Sequence, residues 1–551
     1  MTTATVEPTL LIEDLTVALP PGADRTFAVE GVRFDVRAGE IVCLLGESGS
    51  GKSMIAYAIT GLLPEGVKAV GGRILLGTEN LLALDAEALR ERRGRDITMI
   101  FQEPMTALNP VMTCGAQVDE LLAAHSRLDA TARKARTLEL FERVRLPEPE
   151  RIYASYPHQL SGGQRQRIMI AMALALQPKL VIADEPTTAL DVTTQAEVLA
   201  LIRALQREHG TAVLFITHDM GVVAEIADRV VVLERGRIVE AGDKAQVLQH
   251  PREPYTRMLI AAVPSMDPPD RPARARGEPV LRVEKLGKVY VSGGWLRKKR
   301  VTDAARNVTF ELRRGETLGI VGESGSGKST VARAITRLIE PSAGAIWLGN
   351  ERLDGGDRAQ LRRLRKRIQI VFQDPYRSLD PRQRVGEAII EGPMNFGVSR
   401  REAWARAERL MELVRLDPAA LMRYPNQFSG GQRQRLSIAR ALALEPEVLI
   451  CDEAVSALDV SVQAQVLELL SDIQRRLDLA ILFITHDLRV AAQICDRLLV
   501  MSRGDVVEAG RTAEVFRNPK HPYTRQLLAS APGRDFTFAR VERPASVTVG
   551  T

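Results

Sequence analysis

A chain of 551 residues is too long for one ordinary domain and suggests two to four, each large enough to bury its own core. Its 75 basic and 69 acidic residues leave a net charge of only +6, and the basic clusters Arg297–Arg300 and Arg362–Arg367 have no interleaved aromatic rings for stacking bases, so solvated faces are the expectation there rather than nucleic-acid binding. The longest apolar run, Ile168 to Leu176, is short of the roughly 20 residues that cross a bilayer, and the N-terminus has no basic start followed by an apolar core as in a secretory signal. Cys43, Cys114, Cys451 and Cys495 are scattered with no C-x-x-C pair, so neither a disulfide framework nor a metal site is indicated and a reducing cytosol is the natural compartment.

Along the chain, short β-branched runs alternate with longer helical patterns, which predicts an α/β fold with a largely parallel sheet. The apolar run Ile41 to Leu45 leads into Gly46-Glu47-Ser48-Gly49-Ser50-Gly51-Lys52-Ser53 and a helical pattern. In this motif the loop turns backbone N–H groups onto phosphate oxygens, the lysine reaches the β and γ phosphates, and the hydroxyl binds Mg²⁺. A mainly helical stretch from Ile97 to Gln159 would form an inserted subdomain. Ser161-Gly162-Gly163-Gln164 then opens another helical pattern, a second place where unpaired N–H groups could meet an anion. Lys179 to Asp184 reads as a buried strand. Asp184 at its end can hold Mg²⁺, and the adjacent Glu185 can orient and partly deprotonate an attacking water. A further strand, Thr211 to Thr217, delivers His218 to the same end of the sheet.

The same order then recurs. Thr317 to Val321 precedes Gly322-Glu323-Ser324-Gly325-Ser326-Gly327-Lys328-Ser329-Thr330; Gln373 matches Gln102; Ser429-Gly430-Gly431-Gln432, Asp452-Glu453 and His486 follow. The strands expected before the last two run from Glu447 to Asp452 and from Leu479 to Thr485, and Ile368 to Gln427 repeats the helical stretch. From Ser161 and Ser429 onward the offset between copies is constant. We therefore expect a first domain over 1–263, a proline-rich linker over 264–279 that could span about 50 Å at polyproline rise, a second domain over 280–535, and a loose tail over 536–551.

The Ser-Gly-Gly-Gln segments, lying after a phosphate loop and before a strand-borne Asp-Glu pair, resemble the signature of ATP-binding cassette (ABC) ATPases, from about Leu10 to about Pro532. That resemblance implies two duplicated P-loop ATPase domains that hydrolyse ATP with Mg²⁺. It makes Gln102 and Gln373 γ-phosphate-sensing residues that join the Mg²⁺ site and border grooves for membrane subunits. It makes Ala189-Leu190-Asp191 and Ala457-Leu458-Asp459 the loops through which the halves communicate, and His218 and His486 the switch histidines. Each ATP is expected between one half's loop and the other half's signature, Lys52, Ser53, Gln102, Asp184, Glu185 and His218 with Ser429 to Gly431, and the reciprocal set with Ser161 to Gly163. Gln164 and Gln432 belong to the same nucleotide sites, and both sites keep every catalytic element. Tyr290 stands where the family stacks a ring on adenine; the matching position is Leu19, with Phe27 the candidate substitute.

His250-Pro251 through Arg257, echoed by Pro519 through Arg525, resembles the C-terminal extension of the oligopeptide, dipeptide and nickel importer subfamily. Fusion of both ATPases most resembles importers of peptides, including glutathione. The resemblance implies a peripheral protein on the cytoplasmic face of the membrane, two multispan permease subunits as partners, an extracytoplasmic solute-binding protein acting indirectly, and no nucleic acid. Some relatives hold an iron–sulfur cluster on cysteines of this extension; neither extension here has a cysteine, so no cluster is expected. Import of nickel, an opine or another small solute is an alternative. So are an exporter's ATPase pair and a soluble tandem ABC ATPase working on ribosomes or DNA, although the proline-rich joint and the absence of zinc-type cysteines argue against the last.

Overall fold

The computed structural model describes residues 7–188, 190–269, 278–292, 300–353, 357–456 and 458–541. The chain divides into two compact units, Met1–Ala262 with Pro532–Thr551, and Val263–Ala531. In the first, Ile97–Ile100, Leu180–Asp184, Ala212–Thr217, Ile41–Leu45 and Arg229–Glu234 lie side by side in that order as a parallel sheet, closed by the antiparallel strand Arg237–Asp243. The second repeats the order with Ile368–Val371, Val448–Asp452, Ala480–Ile484, Thr317–Val321, Arg497–Ser502 and Asp505–Arg511. Inner strands of such a sheet are covered on both faces, so Ile41–Leu45 and Ala480–Ile484 are buried throughout and read as continuous apolar runs. Because these strands are parallel, Leu45, Asp184 and Thr217 all end at one edge. That edge receives Gly46, Glu185 and His218.

A second sheet in each unit is antiparallel, a feature absent from the expectation of a mainly parallel core. In the first unit it runs Phe27–Val36, Leu10–Ala18, Lys68–Leu76, Glu79–Asn80. Leu10 and Ile12 alternate inward, the pattern then slips by one, and Leu15 and Val17 resume it. Asp14 at the slip has φ 50°, and the pairing register shifts there. Lys285 (φ 48°) marks the same slip in the second unit. The helix Lys52–Thr60 fills the space between the sheets: Ile55, Ala56 and Ile59 share one core with Leu10 and Ile12 of the antiparallel sheet and Val42 and Leu44 of the parallel one. A phosphate loop that enters this helix is therefore anchored in the centre of the core.

The inserted subdomain is helical, with Cys114–His125, Ala130–Arg143, Pro149–Tyr153 and Gly162–Leu174 in the first unit and Val385–Asn395, Arg400–Leu413 and Gly430–Leu442 in the second. After the last strand come the extension helices Lys244–Gln249 and Pro254–Ala262, and Thr512–Arg517 and Pro522–Ala529. A carboxylate on that strand, buried in the first unit and half-buried in the second, fixes each extension. Glu240 accepts the backbone N–H groups of Arg252 (2.9 Å) and Glu253 (3.2 Å), and Glu508 those of Lys520 (2.8 Å) and His521 (3.0 Å).

Of the proline-rich joint, residues 270–277 lie outside the described residues, as do 293–299 with most of the basic cluster Arg297–Arg300. The first residues of the joint belong to the second unit, where Arg489 donates to Pro264 O (3.4 Å) and Gln493 to Ser265 O (3.0 Å). The segment from Pro532 belongs to the first unit. The Gln249 side chain donates to Thr537 O (3.3 Å) and the Ala539 N–H to Leu248 O (3.0 Å), so hydrogen bonds tie down part of the stretch expected as a loose tail; residues 542–551 lie outside the described residues. All four cysteines are buried and outside any disulfide, Cys43 and Cys451 within inner strands. Among the described residues no helix is long and apolar enough to cross a membrane.

Candidate functional site

Each phosphate loop ends on a glycine with left-handed backbone, Gly51 (φ 106°) and Gly327 (φ 104°), which caps the following helix without a side chain. A Cβ on Gly51 would stand 2.5 Å from the carbonyl oxygen of Ala28, so both conformation and space require glycine. The first-turn N–H groups behind it have no side-chain cap, the arrangement that attracts an anion. Lys52 Nζ donates to Gly46 O (2.7 Å) and Glu47 O (2.9 Å), and Lys328 Nζ to Gly322 O (2.8 Å) and Glu323 O (2.7 Å). Both lysines are buried, so their charge is concentrated at the loop.

The Asp-Glu pairs close on these loops. Ser53 Oγ lies 3.3 Å from Asp184 Oδ1, and Ser329 Oγ 2.9 Å from Asp452 Oδ1. Burial pushes the Asp184 carboxyl up to about 6, with the Ser53 hydrogen bond opposing and the Glu185 charge reinforcing; Asp452 is raised for the same reasons. The chain then turns sharply, with Glu185 at φ 46° and Glu453 at φ 51°, strained values for residues bearing a Cβ. The turn brings two consecutive carboxylates to one place; in a continuing strand they would point to opposite faces.

Glu185 accepts from Gln102 Nε2 (2.8 Å), meets His218 Nδ1 (2.9 Å), and accepts from Thr188 Oγ1 (3.0 Å). Burial disfavours its charge, but the His218 contact and Lys52 outweigh that and hold the carboxyl below its usual range. Glu453 is lowered likewise, with Gln373 at 2.9 Å and His486 at 3.3 Å; the same contact raises His486 against its burial. Around the two glutamates the contacts differ at a hydroxyl. Ser456, in the place of Thr188, donates to the Glu453 carbonyl (3.0 Å). A Thr188→Val substitution is therefore expected to lower ATP turnover by about three- to tenfold, whereas Ser456→Ala changes it by less than about twofold, as steady-state rates of the two variants would show.

The signature serines cap their helices. Ser161 Oγ accepts the Gln164 N–H (3.3 Å) while Gln164 Oε1 accepts the Ser161 N–H (3.0 Å), and Ser429 and Gln432 repeat the box at 3.3 and 2.9 Å. Gln164 and Gln432 thus serve the local fold first. The second glycine of each signature answers to packing, since a Cβ on Gly163 would stand 2.7 Å from Thr194 Cγ2; nothing lies within 4 Å of a Cβ on Gly162 or Gly430. Leu190 and Asp191, and Leu458 and Asp459, start the helices Val192–His209 and Val460–Leu477; Ala189 and Ala457 lie outside the described residues.

Tyr290 is 41% exposed near the end of strand Pro279–Ser292, with Lys288 Nζ 5.2 Å from its ring centre. The matching strand in the first unit stops at Ala18, and Leu19 packs against the core. Phe27 is half-buried and pairs with Ala18. Three contacts to the first loop have no local signal in the sequence: Arg25 donates to Gly49 O (2.5 Å), the Gly236 N–H to Ser50 O (2.8 Å), and the Glu47 N–H to Tyr255 Oη (3.2 Å). Tyr255 is visible beforehand only as part of the extension motif.

The family description "ABC transporter" matches residues 29–188 and 305–456, covering both loops and both Asp-Glu pairs. The chain belongs to the ABC transporter family and is an ATPase of duplicated ABC domains. The description "Oligopeptide/dipeptide transporter, C-terminal region" matches residues 239–292 and 507–546. The chain is 49% identical over 547 residues to the peptidoglycan transport ATP-binding protein YejF of Agrobacterium fabrum, covering 98% of each chain. It is 47% identical over 567 residues to the glutathione import ATP-binding protein GsiA of Escherichia coli O157:H7, covering 97% of this chain and 91% of the relative. The GsiA protein of Pectobacterium atrosepticum is 46% identical, over 95% of this chain and 89% of its own.

Proposed function

We propose that the protein is the ATP-hydrolysing subunit of a peptide importer, taking di- or oligopeptides or a glutathione-like cargo, and that it works on the cytoplasmic face of the membrane against two permease subunits. The observation that carries this reading is the pairing, in both units, of a complete set of hydrolytic groups with the extension matched to oligopeptide and dipeptide transporters. The test is isolation from detergent-solubilised membranes: two multispan subunits should copurify, and copurification with ribosomes instead would overturn the reading.

In this reading the backbone N–H groups of the loops and Lys52 and Lys328 bind the ATP phosphates. Glu185 and Glu453, kept as carboxylates by their partners, take the proton of the water that attacks the γ-phosphorus. His218 and His486 hold those carboxylates and contact the γ-phosphate. The residues present fit Mg²⁺, since each loop hydroxyl is paired with a strand-end carboxylate and all these donors are hard oxygens. Ser53, Asp184 and Gln102 would hold one ion and Ser329, Asp452 and Gln373 the other; the bound ion neutralises phosphate charge. Ser161 to Gly163 and Ser429 to Gly431 are assigned to ATP phosphates, and Gln102 and Gln373 mark the grooves for the permease subunits. The extensions contain no cysteine, and the reading includes no iron–sulfur cluster.

Tyr290 is assigned to adenine stacking, with no ring at Leu19 to match it. Replacing Tyr290 by alanine should weaken ATP binding at one of the two sites by about tenfold, in line with the usual worth of base–aromatic stacking. Calorimetric titration of the wild type should resolve two affinities, and equal affinities that the substitution leaves unmoved would remove Tyr290 from the site.

A further inference from the structure

The Pro-Tyr-Thr segments of the extensions mark kinship, but their tyrosines also touch the phosphate loops. In both units the hydroxyl accepts the N–H of the second loop residue, Glu47 to Tyr255 at 3.2 Å and Glu323 to Tyr523 at 3.1 Å. The peptide group that donates this bond is the one whose carbonyl faces the loop lysine, Gly46 O to Lys52 Nζ at 2.7 Å and Gly322 O to Lys328 Nζ at 2.8 Å. A peptide group is planar, so fixing its N–H fixes the direction of its C=O. One planar unit is thus held at its two ends, by the extension and by the ammonium.

The extension is rigid enough to act as a brace. Glu240 and Glu508 pin the turn before each tyrosine to the last strand. The hairpin leading into that strand is itself bonded to the loop, through the Gly236 N–H to Ser50 O (2.8 Å) and the Gly504 N–H to Ser326 O (3.0 Å). Loop, hairpin and extension form a closed circuit in each unit.

We propose that Tyr255 and Tyr523 are positioning residues, through which the C-terminal extension holds the phosphate loop in its ATP-binding shape. This rests on the reading that the loops bind ATP. Without the hydroxyl the peptide group can rotate, and its carbonyl loses its aim at the lysine. Coupling of this kind is reciprocal, so phosphate binding at the loop is also felt by the extension.

The test compares ATP titrations of the full-length wild type, the double variant Tyr255→Phe/Tyr523→Phe, the variant Thr256→Val and the double variant Lys52→Ala/Lys328→Ala. Thr256 is the buried neighbour of Tyr255, and its hydroxyl has no hydrogen-bond partner among the described residues, so it controls for helix packing alone. The phenylalanine pair should raise the ATP Kd about tenfold, as loss of a partly buried hydrogen bond does, with KM rising in step and kcat moving far less. Amide exchange over residues 44–50 should quicken in the same variant without nucleotide, and Thr256→Val should change neither. An unchanged Kd together with unchanged exchange overturns the proposal. If the double variant does not fold, the single variant Tyr255→Phe is read by the same exchange measurement, with the same two outcomes. Wild-type ATP affinity in the lysine pair would instead overturn the ATP-site reading.

Discussion

Replacing Glu185 and Glu453 together by glutamine is expected to lower ATP turnover by about 10²-fold or more, the usual worth of a general base, while ATP binding survives. The geometry explains both halves of that expectation. Each carboxylate is held by a glutamine and a histidine, and its charge survives burial because of the histidine and the loop lysine. Glutamine keeps the shape and still accepts one hydrogen bond, but it cannot take a proton. The phosphate-binding groups lie on other elements, the loop and the start of the following helix, and remain intact. Unchanged hydrolysis in the double variant would place the base elsewhere. Calorimetric ATP titration beside steady-state rates separates the two effects.

The second large effect is expected from Lys52→Ala with Lys328→Ala, which should raise the ATP Kd by about 10²-fold or more, the scale of losing a charge-assisted hydrogen bond in a buried site. Two losses combine here. The cation that meets phosphate disappears, and the carbonyls of Gly46 and Glu47, and of Gly322 and Glu323, lose a donor that ties the loop into its curve. Direct titration with ATP measures this, and an affinity within about threefold of wild type would show that the loops do not hold the phosphates.

Both sites were readable in the sequence to the extent that their chemistry is local. The loops, the strand-borne Asp-Glu pairs and the signature segments are contiguous, and an apolar run or a capping serine beside each announces its structural setting. The antiparallel sheet was not readable, because the slip at Asp14 and at Lys285 breaks the alternation that marks a half-buried strand. The Thr188 hydroxyl is hidden for another reason. Threonine and serine look interchangeable at 188 and 456, yet one bonds a carboxylate and the other a carbonyl. The contacts of Tyr255 and Tyr523 with the loops join residues about 200 positions apart in sequence, so no local pattern could announce them. Within the tail expected over 536–551, the order at Thr537 and Ala539 comes from hydrogen bonds to Gln249 and Leu248, far away in sequence, rather than from any local pattern.

The burial of the cysteines gives the molecule built-in reporters. Cys43 and Cys114 belong to one unit, Cys451 and Cys495 to the other. Burial raises the Cys43 and Cys451 thiols, the latter to about 12, and Cys114 to about 11, so thiolate is scarce at neutral pH even where a reagent could enter. An alkylating probe therefore reads the opening of each ATPase separately, and peptide mapping of the label can rank the two halves by local stability without any substitution.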